Sequence, residues 1–285
     1  MQNDAHIVRE MLTSQGFKFS KSMGQNFLTD PNIPEKIVRQ SGLDNTCGVL
    51  EVGPGIGALT KELSKVAGHV TAVELDKRLI PILRNVFADT KNVSIFQGDI
   101  LKIDIKKLVE ETMSDLSYHV CANLPYNITT PAITAFIESN MFDSITIMIQ
   151  KEVAHRICAK PGNKEYGAFT VYANYYTTPE ILFDVPPECF TPRPKVTSSV
   201  IKMKIKTDQP LDSEKETAFF RVVRAAFNQR RKTLVNSLYS VLNESFNKDE
   251  LEEIIKKCNL DVKVRGEVLS IEDFIKLSSF ISDKL

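Results

Sequence analysis

The sequence predicts an α/β fold: a seven-stranded, mostly parallel sheet followed by a small all-α domain. Two patterns carry this prediction. Up to about residue 206, short buried apolar runs alternate with amphipathic helical stretches, and from Glu214 onward the pattern is helical throughout. Pro210 marks the change, so domains of residues 1–210 and 211–285 are expected. A chain of 285 residues exceeds the usual single-domain size, which also favours one large and one small domain.

The elements follow in order. Ile7, Val8, Met11 and Leu12, closed by Gly16, read as a short amphipathic helix, and Lys18 to Asp30 as a loop. A helix is expected from Pro34 to about Gln40. Val49–Val52 is a short buried strand, and Leu59, Leu63, Val66 and Ala67 give the next helix one apolar face before Gly68 stops it. Strands are expected at Val70–Val73, Val93–Phe96, His119–Ala122 and Ile145–Ile149. Thr130-Pro131 opens a helix, proline being suited to a first helical turn. Glu152–Ile157 and Ala168–Tyr176 read as helical, and Leu182–Val185 and Ser199–Ile205 as a late antiparallel pair. Strand after helix after strand implies right-handed crossovers and a sheet covered on both faces.

Composition excludes several classes. Lys plus Arg equals Asp plus Glu, 36 against 36, so the overall charge does not point to a polyanion and any nucleic-acid surface must come from local clustering. Five cysteines are widely spaced, with no CxxC pair and no histidine at ligand spacing, which reads as reduced thiols without a metal site. The longest apolar run is too short to span a bilayer and no apolar leader follows the N-terminal charges, so a soluble, cytoplasmic protein without a membrane segment is expected. His6, His69, His119 and His155 are scattered and receive no catalytic role.

The chemistry lies at successive strand ends. Gly53, Gly55 and Gly57 let the backbone pass close to a ligand at the end of the first strand, and Glu74 closes the second, where a ribose can offer two hydroxyls to one carboxylate. Dinucleotide cofactors use the same geometry. Here the loop reads G-x-G-x-G, and the dehydrogenase spacing would put its third glycine at Ala58. Asp99 and Ile100 follow the third strand, an acid and an apolar neighbour able to hold an adenine edge and face. Asn123-Leu124-Pro125-Tyr126 follows the fourth. Together they make the sheet Rossmann-like and favour S-adenosylmethionine over NAD.

The Asn-Leu-Pro-Tyr turn suits methylation of an exocyclic amine. The adenine N6 lone pair is delocalised into the ring, so the amine is a poor nucleophile until acceptors hold its N–H bonds. Asn123 supplies a side-chain carbonyl, Pro125 biases Leu124 toward an extended conformation that can turn out a main-chain carbonyl, and Tyr126 offers a face to a flipped base. No general base is required, and catalysis is mainly positioning and electrostatics.

These residues resemble the ribosomal RNA adenine dimethyltransferase family, and closely its bacterial small-subunit branch. The resemblance extends to Gly24–Leu28, Glu74-Leu75-Asp76, Phe190–Val196 and Ala226–Lys232. It implies a class I methyltransferase that dimethylates N6 of two adjacent adenines near the 3′ end of 16S rRNA in the small ribosomal subunit. It also implies that Asn26 and Leu28 close over the cofactor, Gly53 approaches its methionine part, Glu74 binds the ribose and Asp99 the adenine amine, with Gly55, Leu75 and Ile100 also at the cofactor, and that Asn123 lies between cofactor and base. The rivals are the 23S rRNA dimethyltransferase branch associated with macrolide resistance and an assembly factor whose main task is binding. Departures from the family, Met23 and Gly266, touch none of this chemistry. A monomer is expected.

Phe190 lies in a proline-rich loop that could present its ring to the second face of the target base. Arg221, Arg224, Arg230, Arg231 and Lys232 form a basic cluster with no acid between Phe219 and Asn243, and Arg221, Arg224 and Arg231 share a face if their helix is continuous. Arg193, Lys195, Lys202, Lys204 and Lys206 form a second cationic patch, and Lys18 and Lys21 extend the track. All are expected to contact RNA phosphates.

Overall fold

The computed structural model describes residues 26–284, and the helix expected near Ile7–Gly16, with Lys18 and Lys21, lies outside the described residues. The chain divides into two compact units, residues 1–154 with 180–205, and residues 155–179 with 206–285. This differs from a single boundary at residue 210. His155–Pro179 carries Tyr166, Val171 and Tyr175, which are buried in the core of the helical unit. A linear reading of helix and strand does not reveal that excursion.

The first unit is built on a seven-stranded sheet. Its strands are β2 (Cys47–Val52), β3 (His69–Glu74), β4 (Val93–Gln97), β5 (Ser117–Asn123), β6 (Ser144–Gln150), β7 (Thr177–Val185) and β9 (Ser198–Ile205), in the spatial order β4-β3-β2-β5-β6-β9-β7. The pairs among β4, β3, β2, β5 and β6 are parallel, and β9 runs antiparallel to β6. All six residues of β2 are buried, as a strand covered on both faces requires. A separate two-stranded ribbon pairs β1 (Phe27–Leu28) antiparallel with β8 (Phe190–Thr191). Two-residue strands have no period to read.

The helices α1 (Asn32–Ser41), α2 (Ala58–Leu63), α3 (Ile80–Val86), α4 (Ile105–Thr112) and α5 (Thr129–Glu138) connect the strands. Gly42 ends α1 in the left-handed conformation, φ +72°. A Cβ there would lie 3.4 Å from Lys202 Nζ, so Lys202 stands at the carbonyl end of α1, where a cation is favoured. It is half-buried, not part of an open patch.

The helical unit holds α7 (Ala168–Tyr176), α8 (Ser213–Phe227), α9 (Leu234–Leu242), α10 (Lys248–Lys257) and α11 (Ile271–Ile281), while α6 (Lys151–Ile157) and β7 cross the division. Its helix starts are specified locally. Asp212 accepts from Lys215 N, and reciprocal capping pairs, Asn247 with Glu250 and Ser270 with Asp273, open α10 and α11. Inside, Phe219, Val222, Leu238, Leu251, Phe274 and Leu277 share one core. Tyr166 donates to the Leu269 main-chain oxygen at 2.9 Å, and Gly162 N to that of Glu267 at 2.7 Å, which bind the 155–179 segment to this unit.

Candidate functional site

The glycine loop leaves β2 with Gly53 N bonded to Val73 O at 2.9 Å. Gly53, Gly55 and Gly57 all take left-handed angles, φ +68°, +60° and +84°. A Cβ on Gly55 would come 2.9 Å from the Phe27 ring, and one on Gly57 2.7 Å from that of Phe87. Conformation disfavours a side chain at all three and space also does so at Gly55 and Gly57, while Gly53 and Gly55 leave bare backbone along one wall of a cavity. Phe27 forms part of that cavity.

Glu74 ends β3 and is buried. Its Oε2 accepts from Gly55 N at 3.2 Å and its Oε1 from Asp76 N at 2.8 Å. Burial raises its pKa, with the two N–H groups pulling the other way. Each oxygen has capacity for one further donor, which suits a vicinal diol. After β4, Asp99 accepts from Leu101 N through Oδ1 at 3.1 Å. Ile100 and Leu75 line the cavity with it, and Leu75 is 56 % exposed, an apolar surface that a flat ring can cover.

Asn123 ends β5, and its Nδ2 donates to Asn26 O at 3.4 Å. Leu124 N donates to Met148 O at 3.2 Å, continuing the strand ladder, and Pro125 holds ψ at 131°. Tyr126 is half-buried and hydrogen-bonded through its hydroxyl to Ser198 Oγ at 2.8 Å, which fixes its ring at the cavity. The sheet order thus sets Asp99, Glu74, the glycine loop and Asn123 side by side along one carboxyl edge. Leu28 lines the same cavity from β1, and Asn26 from the position just before it.

Two expectations are corrected. Phe190 is 2 % exposed and packs in a core cluster with Leu28, Cys189 and Val200, because its pairing with Leu28 in the ribbon turns it inward. It is no open stacking face. Helix α8 stops at Phe227 and Asn228 caps it, so Arg231 does not continue the face of Arg221 and Arg224. Arg230 is committed within its own unit: it donates to the main-chain oxygens of Lys164 and Tyr166 and lies 3.6 Å from Glu267. Lys206 likewise donates to Asn174 O at 2.6 Å. Arg193, Lys195, Lys204, Arg221, Arg224, Arg231 and Lys232 are exposed.

Sequence reasoning passed over Glu51. It lies on β2 in an apolar run, lines the cavity, and is 1 % exposed. The available signal was a lone carboxylate inside a strand buried on both faces. Among the described residues no group of three or more His, Cys, Asp or Glu side chains could hold a metal, and no helix is long and apolar enough to cross a membrane.

A parallel sheet with a glycine loop, a ribose-directed acid and an adenine-directed acid at successive strand ends defines a Rossmann-like, S-adenosylmethionine-dependent methyltransferase. The residues present fit that cofactor: a cradle that a Cβ would fill, a diol-ready carboxylate and an unpartnered buried acid oxygen. Residues 16–280 match the ribosomal RNA adenine dimethylase family, and the chain belongs to it. Ribosomal RNA small subunit methyltransferase A of Clostridioides difficile is 45 % identical over 281 residues, covering 98 % of this chain and 96 % of the relative. The protein of that name in Bacillus licheniformis is 43 % identical over 280 residues, covering 97 % and 96 %. The dimethyladenosine transferase of Plasmodium falciparum shares the fold, with TM-score 0.77 at 24 % identity over 90 % of this chain and 98 % of that one. So does the 23S rRNA methyltransferase ErmE, with TM-score 0.70 at 22 % identity over 90 % and 99 %.

Proposed function

We propose that this enzyme dimethylates N6 of two adjacent adenines near the 3′ end of 16S rRNA in the small ribosomal subunit, in the cytoplasm. The relatives that match almost end to end at 43–45 % identity carry the small-subunit name, whereas ErmE shares only the fold. The observation that carries the chemistry is the link from Asn123 Nδ2 to Asn26 O. It spends the amide's donor side on the protein and reserves its carbonyl oxygen for a substrate N–H.

When bound, the cofactor supplies an activated methyl group on a sulfonium. Glu74 takes the ribose hydroxyls, while Asp99, Ile100 and Leu75 hold the adenine. Asn123 Oδ1 and the Leu124 main-chain oxygen accept the two N–H bonds of the target amine, which favours a pyramidal nitrogen with its lone pair free. Tyr126 stacks on the extruded base. Such a contact is worth about 1–3 kcal/mol and helps offset the cost of unstacking the adenine from RNA. The pocket wall of Phe27, Leu28 and Ile56 excludes water from the transfer. Arg193 and Lys195 in one unit, and Arg221, Arg224, Arg231 and Lys232 in the other, meet phosphates.

The test is incubation of the protein with labelled S-adenosylmethionine and under-methylated 30S particles, followed by mapping of the modified bases. Two dimethylated neighbouring adenines near the 16S 3′ end are expected. Label confined to 23S rRNA, or absent from both, overturns the reading. Glu74→Ala is expected to abolish incorporation.

A further inference from the structure

The turn between β3 and α3 holds an arginine that does not line the cavity, yet is tied to it through one intervening residue. Arg78 forks onto Asp76, with Nε donating to Oδ1 at 2.9 Å and Nη2 to Oδ2 at 2.6 Å. The Arg78 main-chain N–H adds a third bond to Oδ1 at 3.0 Å. Asp76 N in turn donates to Glu74 Oε1 at 2.8 Å. Asp76 O accepts from Leu79 N at 2.9 Å, and Leu79 is fully buried and lines the cavity. Residues 74–79 thus form one closed turn, with the arginine fork facing solvent and the Glu74 carboxylate facing the cavity.

Two facts separate this fork from an ordinary surface ion pair, which contributes little. First, Asp76 is only 2 % exposed while Arg78 keeps 43 % of its side chain in solvent, so the pair brings a surface cation to a buried acid. Second, that acid stands among like charges. Asp76 repels Glu74, and Glu74 repels Glu51 on β2. Three carboxylates crowd the carboxyl ends of β2 and β3, and Arg78 supplies a cation there; beyond β4, Asp99 has its own in Lys102, 3.5 Å away.

A planar guanidinium held by both oxygens of a carboxylate fixes geometry as well as charge. Here it closes the turn around Asp76, which keeps the Asp76 N–H aimed at Glu74 Oε1. It also offsets the negative charge that would otherwise favour a proton on Glu74. Both effects serve one task. A charged carboxylate accepts from two hydroxyls, whereas a protonated one has given part of that capacity to its own O–H.

We propose that Arg78 is a positioning residue for ribose recognition: acting through Asp76, it keeps the Glu74 carboxylate aimed and charged for the two hydroxyls of the methyl donor. The inference rests on the assignment of Glu74 to the ribose. Arg78 acts on the diol alone, so its loss removes the part of the binding energy that the diol supplies and leaves the contacts to adenine and to the methionine part in place.

Calorimetric titration of S-adenosylhomocysteine and of its 2′,3′-dideoxy analogue into wild-type and Arg78→Gln protein tests this. The two ligands differ only in the diol, so each protein is its own reference. The wild type is expected to prefer the diol compound by about tenfold or more. In Arg78→Gln that preference is expected to shrink to about threefold or less, with affinity for the dideoxy compound nearly unchanged. In turnover, KM for the donor should rise in Arg78→Gln by a larger factor than kcat falls. Adding Asp76→Asn to Arg78→Gln keeps the main-chain N–H and removes the uncompensated charge. Recovery of the preference in that double variant assigns the effect to charge, and a preference still lost assigns it to the aim of the N–H; either result supports the proposal. A diol preference undiminished in Arg78→Gln, or equal losses for both ligands, overturns the inference and leaves the ribose assignment standing. A wild type that binds both ligands alike overturns the ribose assignment itself.

Discussion

Asn123 Nδ2 and Asn26 O meet at 3.4 Å across 97 residues of sequence, joining the end of β5 to the residue that precedes β1. The side chain proposed to hold the target amine is thereby oriented by the strand that lines the cofactor cavity. Asn123→Asp keeps the acceptor and loses the donor, so it sets two oxygens against each other. Methyl transfer is expected to fall by roughly 10–100-fold, for a cost of about 1–3 kcal/mol. Single-turnover rates on 30S particles check this, and an unchanged rate removes the link from the mechanism.

Tyr126 separates ring from hydroxyl. Tyr126→Phe keeps the stacking face and loses the 2.8 Å bond to Ser198, a loss of about 0.5–1.5 kcal/mol. Tyr126→Ala also loses about 1–3 kcal/mol of stacking. The rate on RNA should therefore fall further in the alanine variant, while donor affinity changes little in either. Equal rates for the two would remove stacking from the account.

Gly57 and Gly162 share nearly the same angle, φ +84° and +85°, in different surroundings. A Cβ on Gly162 meets nothing within 4 Å, whereas one on Gly57 strikes the Phe87 ring at 2.7 Å. Gly162→Ala should cost only the left-handed strain, about 1–2 kcal/mol. Gly57→Ala should cost more and also weaken donor binding. Urea denaturation of both variants, with donor titration of the second, measures the difference.

Arg224 and Arg230 should fail in different ways. Arg224 is exposed on α8, so Arg224→Ala is expected to lower the slope of log affinity against log salt by about 1 for rRNA fragments. Arg230→Ala unfastens the Lys164 and Tyr166 carbonyls and should lower the melting temperature with little change in slope. The reverse pattern would show that the Arg230 contacts are incidental.

Glu51 makes stability depend on pH. Its folded pKa, about 8, lies above the ordinary carboxylate value, so the folded state holds a proton that the unfolded chain has lost. The stabilising contribution is complete below about 4.5 and is lost as pH rises toward about 8. The Glu51→Gln variant should therefore gain on the wild type across that window, by on the order of a few kcal/mol, and level off above it. Denaturation midpoints of the two proteins in acidic, neutral and alkaline buffer test the sign.

The parts legible in the sequence were those with a period or a fixed spacing. β2, β3, β5 and β6 were visible as apolar runs, and Glu74, Asp99 and Asn123 as polar residues closing such runs. What escaped depends on contacts distant in sequence. The β1–β8 ribbon is too short for any pattern, and the burial of Phe190 follows from that ribbon alone. The stop of α8 at Phe227 has no glycine or proline to announce it, and the commitment of Arg230 to the 160s loop could not be read from a run of cations. α3 and α4 are short and were not anticipated, although α4 has local signals: Asp104 caps it by accepting from Lys107 N, and Ile105, Leu108 and Val109 recur at helical spacing.

The ribbon joins two tasks in one register. Phe27 faces Thr191 and Leu28 faces Phe190, so the two residues that line the cavity also anchor the segment that carries Arg193 and Lys195. In a strand pair, a slip of one position exchanges inward and outward side chains. The bridge leading into the ribbon is held as well, since Cys189 is buried and its main-chain oxygen accepts from Thr29 N at 2.9 Å, and deleting Leu28 would remove the residue that faces Phe190 and shift the register by one. A change of RNA partner is therefore more easily met by the exposed residues beyond Thr191 than by the paired residues themselves.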